Sequence, residues 1–151
     1  MQSHRAVVID HGSYSTQLGL AGGMRPSCTM PTAVARSGDQ RKYVGDAIEH
    51  CKDPSQLRFR RPFDKGFLMN WDVTQELWDR AFGREVLDIA EESFRERGLV
   101  VTEPLFNHEP LQDTMDELVF ELYGFGEYLC TSPAVLSNIA YQYTREGAGV
   151  S

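Results

Sequence analysis

A continuous apolar run ends in an acid, turns on small residues and returns to apolar character near the start of the chain: Ala6-Val7-Val8-Ile9-Asp10-His11-Gly12-Ser13-Tyr14-Ser15-Thr16-Gln17-Leu18-Gly19-Leu20. This pattern predicts a buried strand, a tight turn and a second strand, a hairpin around which the rest of the chain is organised. Gly12 is expected to take a backbone conformation closed to residues with a Cβ, and consecutive N–H groups in such a turn form a concavity suited to phosphate. Asp10, at the end of a buried strand, can hold a hydrated Mg²⁺ through water. An ordinary hairpin with a polar tip is the competing reading, because the stretch is neither GxGxxG nor GxxxxGK[ST].

The 151 residues suffice for one domain with its own core. At 41% hydrophobic and 25% charged the chain is not a disordered one, and a net charge of −7 excludes a nucleic-acid sleeve over its whole length. Its apolar runs fall short of a membrane span, and Met1-Gln2-Ser3-His4-Arg5 leads into too short an apolar run for a secretory signal. Cys28, Cys51 and Cys130 are far apart and odd in number, so neither a disulfide framework nor a CxxC zinc site is expected. His4, His11, His50 and His108 also lack metal-ligand spacing, and a reducing compartment, cytoplasm or nucleus, follows.

Along the chain, Ser27-Cys28-Thr29-Met30 reads as a third strand stopped at Pro31. From Ala33 to Lys65 the pattern breaks at Gly38, Gly45, Pro54 and Pro62, leaving an irregular surface insertion whose only strand-like piece is Lys42-Tyr43-Val44. Its last part holds five bases (Lys52, Arg58, Arg60, Arg61, Lys65) against Asp53 and Asp64. Such a patch suits DNA or an acidic partner, although a solvated loop is the commoner outcome. Asn70 or Asp72 then caps a helix bearing Val73, Leu77, Trp78, Ala81 and Phe82, stopped by Gly83. Asp88 to Arg97 reads as a short solvent-facing helix, and Leu99 to Glu103, closed by Pro104, as a buried strand.

A second amphipathic helix is predicted from Leu111 to Tyr123, with Leu111, Met115, Leu118, Val119 and Leu122 on the core side. Its acids, Asp113, Asp116, Glu117 and Glu121, form a solvated face rather than a catalytic set, and Gly124 ends it. Glu127 to Thr131 reads as a fifth strand, and Ser132-Pro133 as the cap and first residue of a third helix. That helix, with Ala134, Val135, Leu136, Ile139, Ala140 and Tyr143, is apolar most of the way round and is expected to be buried. A further strand is expected to begin as small and apolar residues return in Gly147-Ala148-Gly149-Val150-Ser151.

The order β-β-β, insertion, α, β, α, β, α, together with these motifs, resembles the amino-terminal part of the actin family over essentially the whole chain. Val8-Ile9-Asp10-His11-Gly12-Ser13 is similar to its first phosphate loop, and Tyr43-Val44-Gly45-Asp46 to its subdomain 2 strand and turn. Asn70-Trp71-Asp72, Val101-Thr102-Glu103-Pro104 with Asn107, and Ala134-Val135-Leu136-Ser137 also match, in the family's order. Stretches such as Pro62-Phe63-Asp64-Lys65-Gly66-Phe67-Leu68 and Thr102-Glu103-Pro104-Leu105-Phe106-Asn107 look more like a nuclear actin-related branch than like conventional actin. The resemblance implies an α/β fold of the ribonuclease-H-like actin ATPase type, a mixed five-stranded sheet with flanking helices. Residues 1–32 and 66–151 would form subdomain 1, and residues 33–65 an inserted subdomain 2.

What the resemblance implies for function is a non-catalytic docking subunit of a nuclear assembly that exchanges a core histone for its variant. Its partners would be remodelling-complex subunits and histones, in the nucleus or else the cytoplasm, with no membrane; direct nucleic-acid contact stays open. Asp10, Gly12 and Ser13 carry over as phosphate or metal-water contacts for ATP with Mg, bound weakly or not at all. Conventional actin has a glycine at Tyr14 and a lysine at Gln17. Losing that lysine removes a charge-assisted bond of roughly 1.5–3 kcal/mol. Pro133 stands where actin has the glutamine that positions the attacking water, so ATP hydrolysis is not expected. The family's second phosphate loop and adenosine pocket would lie beyond Ser151. The alternatives are a cytoskeletal ATP-binding actin-like protein and a weak ATPase of the actin and sugar-kinase superfamily.

Overall fold

A computed structural model of the chain describes residues 5–147. The strand expected to begin near Ala148 lies outside the described residues. The elements are β1 (Val7–His11), β2 (Ser15–Leu20), β3 (Cys28–Pro31), β4 (Val34–Arg36), β5 (Lys42–Val44), β6 (Arg58–Arg60), β7 (Phe63–Asp64), β8 (Phe67–Leu68), α1 (Trp71–Phe82), β9 (Gly98–Thr102), α2 (Glu109–Glu117), β10 (Glu127–Thr131) and α3 (Pro133–Gly147). The expected five-stranded mixed sheet runs β10-β9-β1-β2-β3, antiparallel through β1, β2 and β3 and parallel through β1, β9 and β10. No described helix is long and apolar enough to cross a membrane.

Strand alternation gives this sheet one closed and one open face. Val7, Ile9, Leu18, Met30, Leu99 and Val101 are fully buried in one cluster with Val73, Leu77, Trp78 and Val119. Helix α1 presents that stripe as expected: the Asn70 side chain accepts from the Val73 N–H at 3.2 Å and Gly83 ends the helix. Trp78, Phe82, Phe94, Tyr123 and Phe125 pack edge-on or tilted around one another, with ring centroids 4.7–6.5 Å apart. On the opposite face Val8 and Val100 are half-buried and Leu129 is 55% exposed.

Four expectations need correction. Residues 33–65 are not irregular: β4 pairs with β5 and with β6 in a three-stranded sheet, and short 3₁₀ turns span Gly45–His50 and Pro54–Gln56. Strands of three residues hold too few alternations to announce themselves, and their pairing is non-local. The insertion is also fastened to α1, by Arg80 bidentate on Asp46 (both 2.9 Å) and by Lys42 on Glu76 at 2.8 Å. That guanidinium holds the Asp46 carboxyl below its ordinary range. The solvent-facing helix expected between Asp88 and Arg97 is a 3₁₀ segment, Glu91–Glu96, whose Phe94 is buried beneath it, as is Ile89.

The second helix starts at Glu109 and winds as a π-helix from Leu118 to Tyr123 before Gly124, at φ 74°, stops it. The wider winding changes the rotation per residue. Leu118 and Val119 stay buried while Leu122, expected on the core side, is 52% exposed. Helix α3 is not buried. Ser132 Oγ accepts from Val135 N–H at 3.4 Å as expected, yet Val135 is 50%, Ile139 51% and Tyr143 79% exposed. An all-round apolar pattern predicts burial, but no described element covers this helix.

Trp78 fills the centre of the closed face at 0% exposure. Trp78→Ala should cost about 3–5 kcal/mol, and Asn70→Ala about 1 kcal/mol through loss of the cap. Urea unfolding followed by circular dichroism checks both, and equal losses would contradict this assignment of roles.

Candidate functional site

Parallel pairing sets Val8 beside Val100 and Thr102 beside Thr131, so the carboxyl ends of β1, β9 and β10 finish together. In open α/β sheets ligands bind at such an edge. Asp10, the hairpin turn and the β10–α3 junction with Ser132 and Pro133 meet there.

Thr102 organises the corner. Its hydroxyl donates to Asp10 Oδ1 at 2.7 Å and accepts the His11 N–H at 3.0 Å, so its one proton and one of its two lone pairs are used. Asp10 is thereby oriented while its carboxylate stays exposed. His11 points the other way, into the core, against Phe63 (centroids 5.2 Å apart) and Trp78 (6.4 Å). Its Nδ1 lies 3.0 Å from Thr16 Oγ1, which lies 2.7 Å from Thr32 Oγ1. Nε2 is buried without a partner among the described residues. A buried orphan N–H is rarer than a bare lone pair, so we assign the Nδ1–H tautomer, donating to Thr16, which donates to Thr32. Burial drives the His11 pKa down from 6.5 to about 4.

At the turn, Gly12 is needed for a reason other than the one expected. It is not among the positive-φ glycines; instead a Cβ there would stand 2.8 Å from the Ser15 carbonyl oxygen. Its N–H donates to that oxygen at 3.2 Å, so the Gly12 donor is spent inside the turn. Ser13 is exposed at the tip. Tyr14, 77% exposed, lies under the Arg61 guanidinium at 5.0 Å, and Arg61 Nη1 reaches the Tyr14 and Thr32 carbonyl oxygens, both at 3.4 Å. Gln17 sits opposite Asp10 in the β1–β2 register, and both line an open depression of about 280 Å³ with Gly19, Met24 and Arg25.

For the ATP and Mg that the sequence resemblance implies, the fit is divided. The exposed, oriented Asp10 fits a metal-bound water. The Gly12 amide does not fit a phosphate cradle, and position 17 supplies no cation. Among the described residues no group of three or more His, Cys, Asp or Glu is placed to hold a metal by itself. Burial pushes the Cys130 thiol up to about 11, which removes it as a thiolate nucleophile at neutral pH. Glu103 is a structural carboxylate: Asn107 Nδ2 at 2.9 Å and Gln112 Nε2 at 3.0 Å fasten it, tying the end of β9 to α2.

Sequence reasoning gave Thr102, Thr16 and Thr32 no part in the site, and read Arg61 only as one of five bases in a surface patch. Thr102 was reachable, since a parallel β1–β9 pairing brings it alongside Asp10. Arg61 was not, because its reach depends on how the insertion folds back.

The chain matches the family model described as Actin over residues 1–148. It is 40% identical to "Actin-like protein ARP6" of Cryptococcus neoformans var. neoformans serotype D (strain B-3501A), across 90% of this chain and 27% of that protein. It is 31% identical to "Actin-related protein 6" of Drosophila melanogaster, across 92% of this chain and 34% of that protein. The corresponding protein of Dictyostelium discoideum is 30% identical, across 86% and 26%. The chain thus spans roughly a quarter to a third of the length of these relatives.

The buried neutral His11 sets a pH dependence. An unfolded chain takes up its proton near 6.5, the folded one only near 4. This contribution to stability is therefore complete above pH 6.5 and is lost as pH falls towards 4. By pH 4.5 the chain should lose about 2–3 kcal/mol more than a His11→Asn variant. Paired urea titrations at pH 7 and 4.5 measure the difference, and parallel losses would show that His11 is not buried neutral.

Proposed function

The chain belongs to the actin family, and on that premise we propose that it is a non-catalytic structural and docking subunit of a nuclear chromatin-remodelling assembly that exchanges a core histone for its variant. The observation that carries this reading is the pair Asp10–Gln17. A phosphate-binding strand pair benefits from a cation aimed at the ligand. Here the register sets a carboxylate against a neutral amide, and the turn has spent its Gly12 donor on itself. Pro133, which opens α3, offers no side-chain donor or acceptor to a water. Each feature favours a scaffold over an engine.

The relatives are named as actin-related or actin-like proteins of the sixth class, and the remodelling role, the nuclear location and the histone partners belong to this proposal. ATP turnover would come from a separate motor subunit of the assembly.

Affinity purification of the endogenous protein from nuclear extract, with mass spectrometry of what is retained, tests the reading. A remodelling motor, its companion subunits and variant histones are expected; a retained set dominated by actin filaments or cytoskeletal motor adaptors would overturn it. The chain should show no saturable Mg-ATP binding at micromolar levels by calorimetry. Gln17→Lys should tighten what binding there is by about tenfold or more, the equivalent of one charge-assisted hydrogen bond.

A further inference from the structure

We propose that the outer edge of β6 is a docking strand for an extended acidic peptide segment of a partner protein, which adds there as a fourth strand of the small sheet. The sheet order is β5-β4-β6, so β6 is an edge, and its three residues Arg58, Phe59 and Arg60 are all exposed. Beyond the pairing to β4, none of these three residues has a backbone hydrogen bond to another part of the described chain. An edge strand offers unused N–H and C=O groups in a row, the template on which strand addition works.

The register decides what kind of strand fits. Arg36 stands directly opposite both Arg58 and Lys42, and directly opposed residues of antiparallel strands share a face. Arg60 lies on that face too, two residues from Arg58. Lys42 is taken by Glu76. Arg36, Arg58 and Arg60 are exposed with no acidic partner among the described residues. Like charges facing each other across strands destabilise a sheet, and this cluster forms in a chain whose net charge is −7. An acidic strand relieves that repulsion. On the other face Phe59, 51% exposed, lies beside Ala35 and leaves room for an apolar neighbour. The fitting partner therefore alternates acid, apolar, acid.

Charged edges also guard against indiscriminate pairing. Arg58 and Arg60 do so selectively, turning away neutral and basic strands and admitting an acidic one. The guarding role alone leaves Arg36 opposite Arg58 without purpose, since neutral residues on β4 would guard the edge as well. A nucleic-acid duplex is the less suitable occupant. It has no row of alternating donors and acceptors for the edge, and Arg61, which would extend the basic row, is held by the Tyr14 and Thr32 carbonyls.

The test uses the full chain and a fluorescein-labelled peptide of alternating Glu and Val, read by anisotropy. The same peptide N-methylated at every second residue keeps its charges and loses backbone donors. The unmodified peptide should bind, the N-methylated one should not, and amide exchange at residues 58–60 should slow on binding. Arg58→Gln with Arg60→Gln, verified as folded by circular dichroism, should weaken binding by roughly tenfold, the sum of two partly exposed ion pairs. Equal binding of both peptides would reduce the contact to bulk charge and overturn strand addition. So would unchanged affinity in the double variant, or a short DNA duplex that binds more tightly and displaces the peptide.

Discussion

One parallel pairing, Val8 beside Val100, joins the amino-terminal hairpin to residues some ninety positions later. The corner around Asp10 depends on it. It makes β1 a central strand, with β2 on one side and β9 on the other, and so buries Val7 and Ile9 completely. The same pairing sets Thr102 next to Asp10, where one hydroxyl fixes a carboxylate and a backbone N–H together. A slip of one residue would send Asp10 into the core and His11 out to solvent. Long-range parallel contacts of this kind carry a large loop-closure entropy, which the burial of Val7 and Ile9 offsets.

The hairpin, a cap at Asn70 or Asp72, the stops at Gly83 and Gly124 and the Ser132-Pro133 start were all legible in the sequence, because each is a local rule expressed within four or five residues. What failed had non-local causes. In the insertion β6 is specified by β4, over twenty positions away, and Val34 and Ala35 gave no periodic sign of being buried. The π winding after Leu118 altered which side Leu122 faces, a change that a fixed helical period cannot foresee. For α3 the pattern was read correctly as apolar, and the inference from apolar to buried is what did not hold.

At the candidate site the split is the same. Asp10 lies near the carboxyl end of a buried strand, and Gly12 and Ser13 lie in the tight turn after it. The state of their donors and acceptors was hidden. Gly12 is required by the closeness of the Ser15 carbonyl rather than by its own dihedral freedom, and that closeness consumes the amide that a phosphate would need. His11 reads in the sequence as one more polar tip residue. In the fold it is a core group, neutral because it is buried, whose hydroxyl chain to Thr16 and Thr32 braces β1 against β2 and the residue after β3. The corner is thus built for rigidity around a single exposed carboxylate.

Two kinds of uncovered surface follow from this architecture, and they differ in physics. Val135 and Ile139 on α3 and Leu129 on the open sheet face expose apolar area, whose burial is worth about 25 cal/mol per Å² and does not weaken with salt. Arg36, Arg58 and Arg60 around β6 expose charge, whose pairing is screened over a distance of about 8 Å at physiological ionic strength. Contacts of the first kind hold at any ionic strength, and those of the second weaken as salt rises. The two surfaces lie on different parts of the chain, one on the five-stranded sheet and the helix after it, the other on the inserted sheet. The insertion is anchored to α1 through Arg80 and Lys42. A stably held body can in this way present a salt-sensitive strand edge at a fixed place, which is the physical requirement for a docking part.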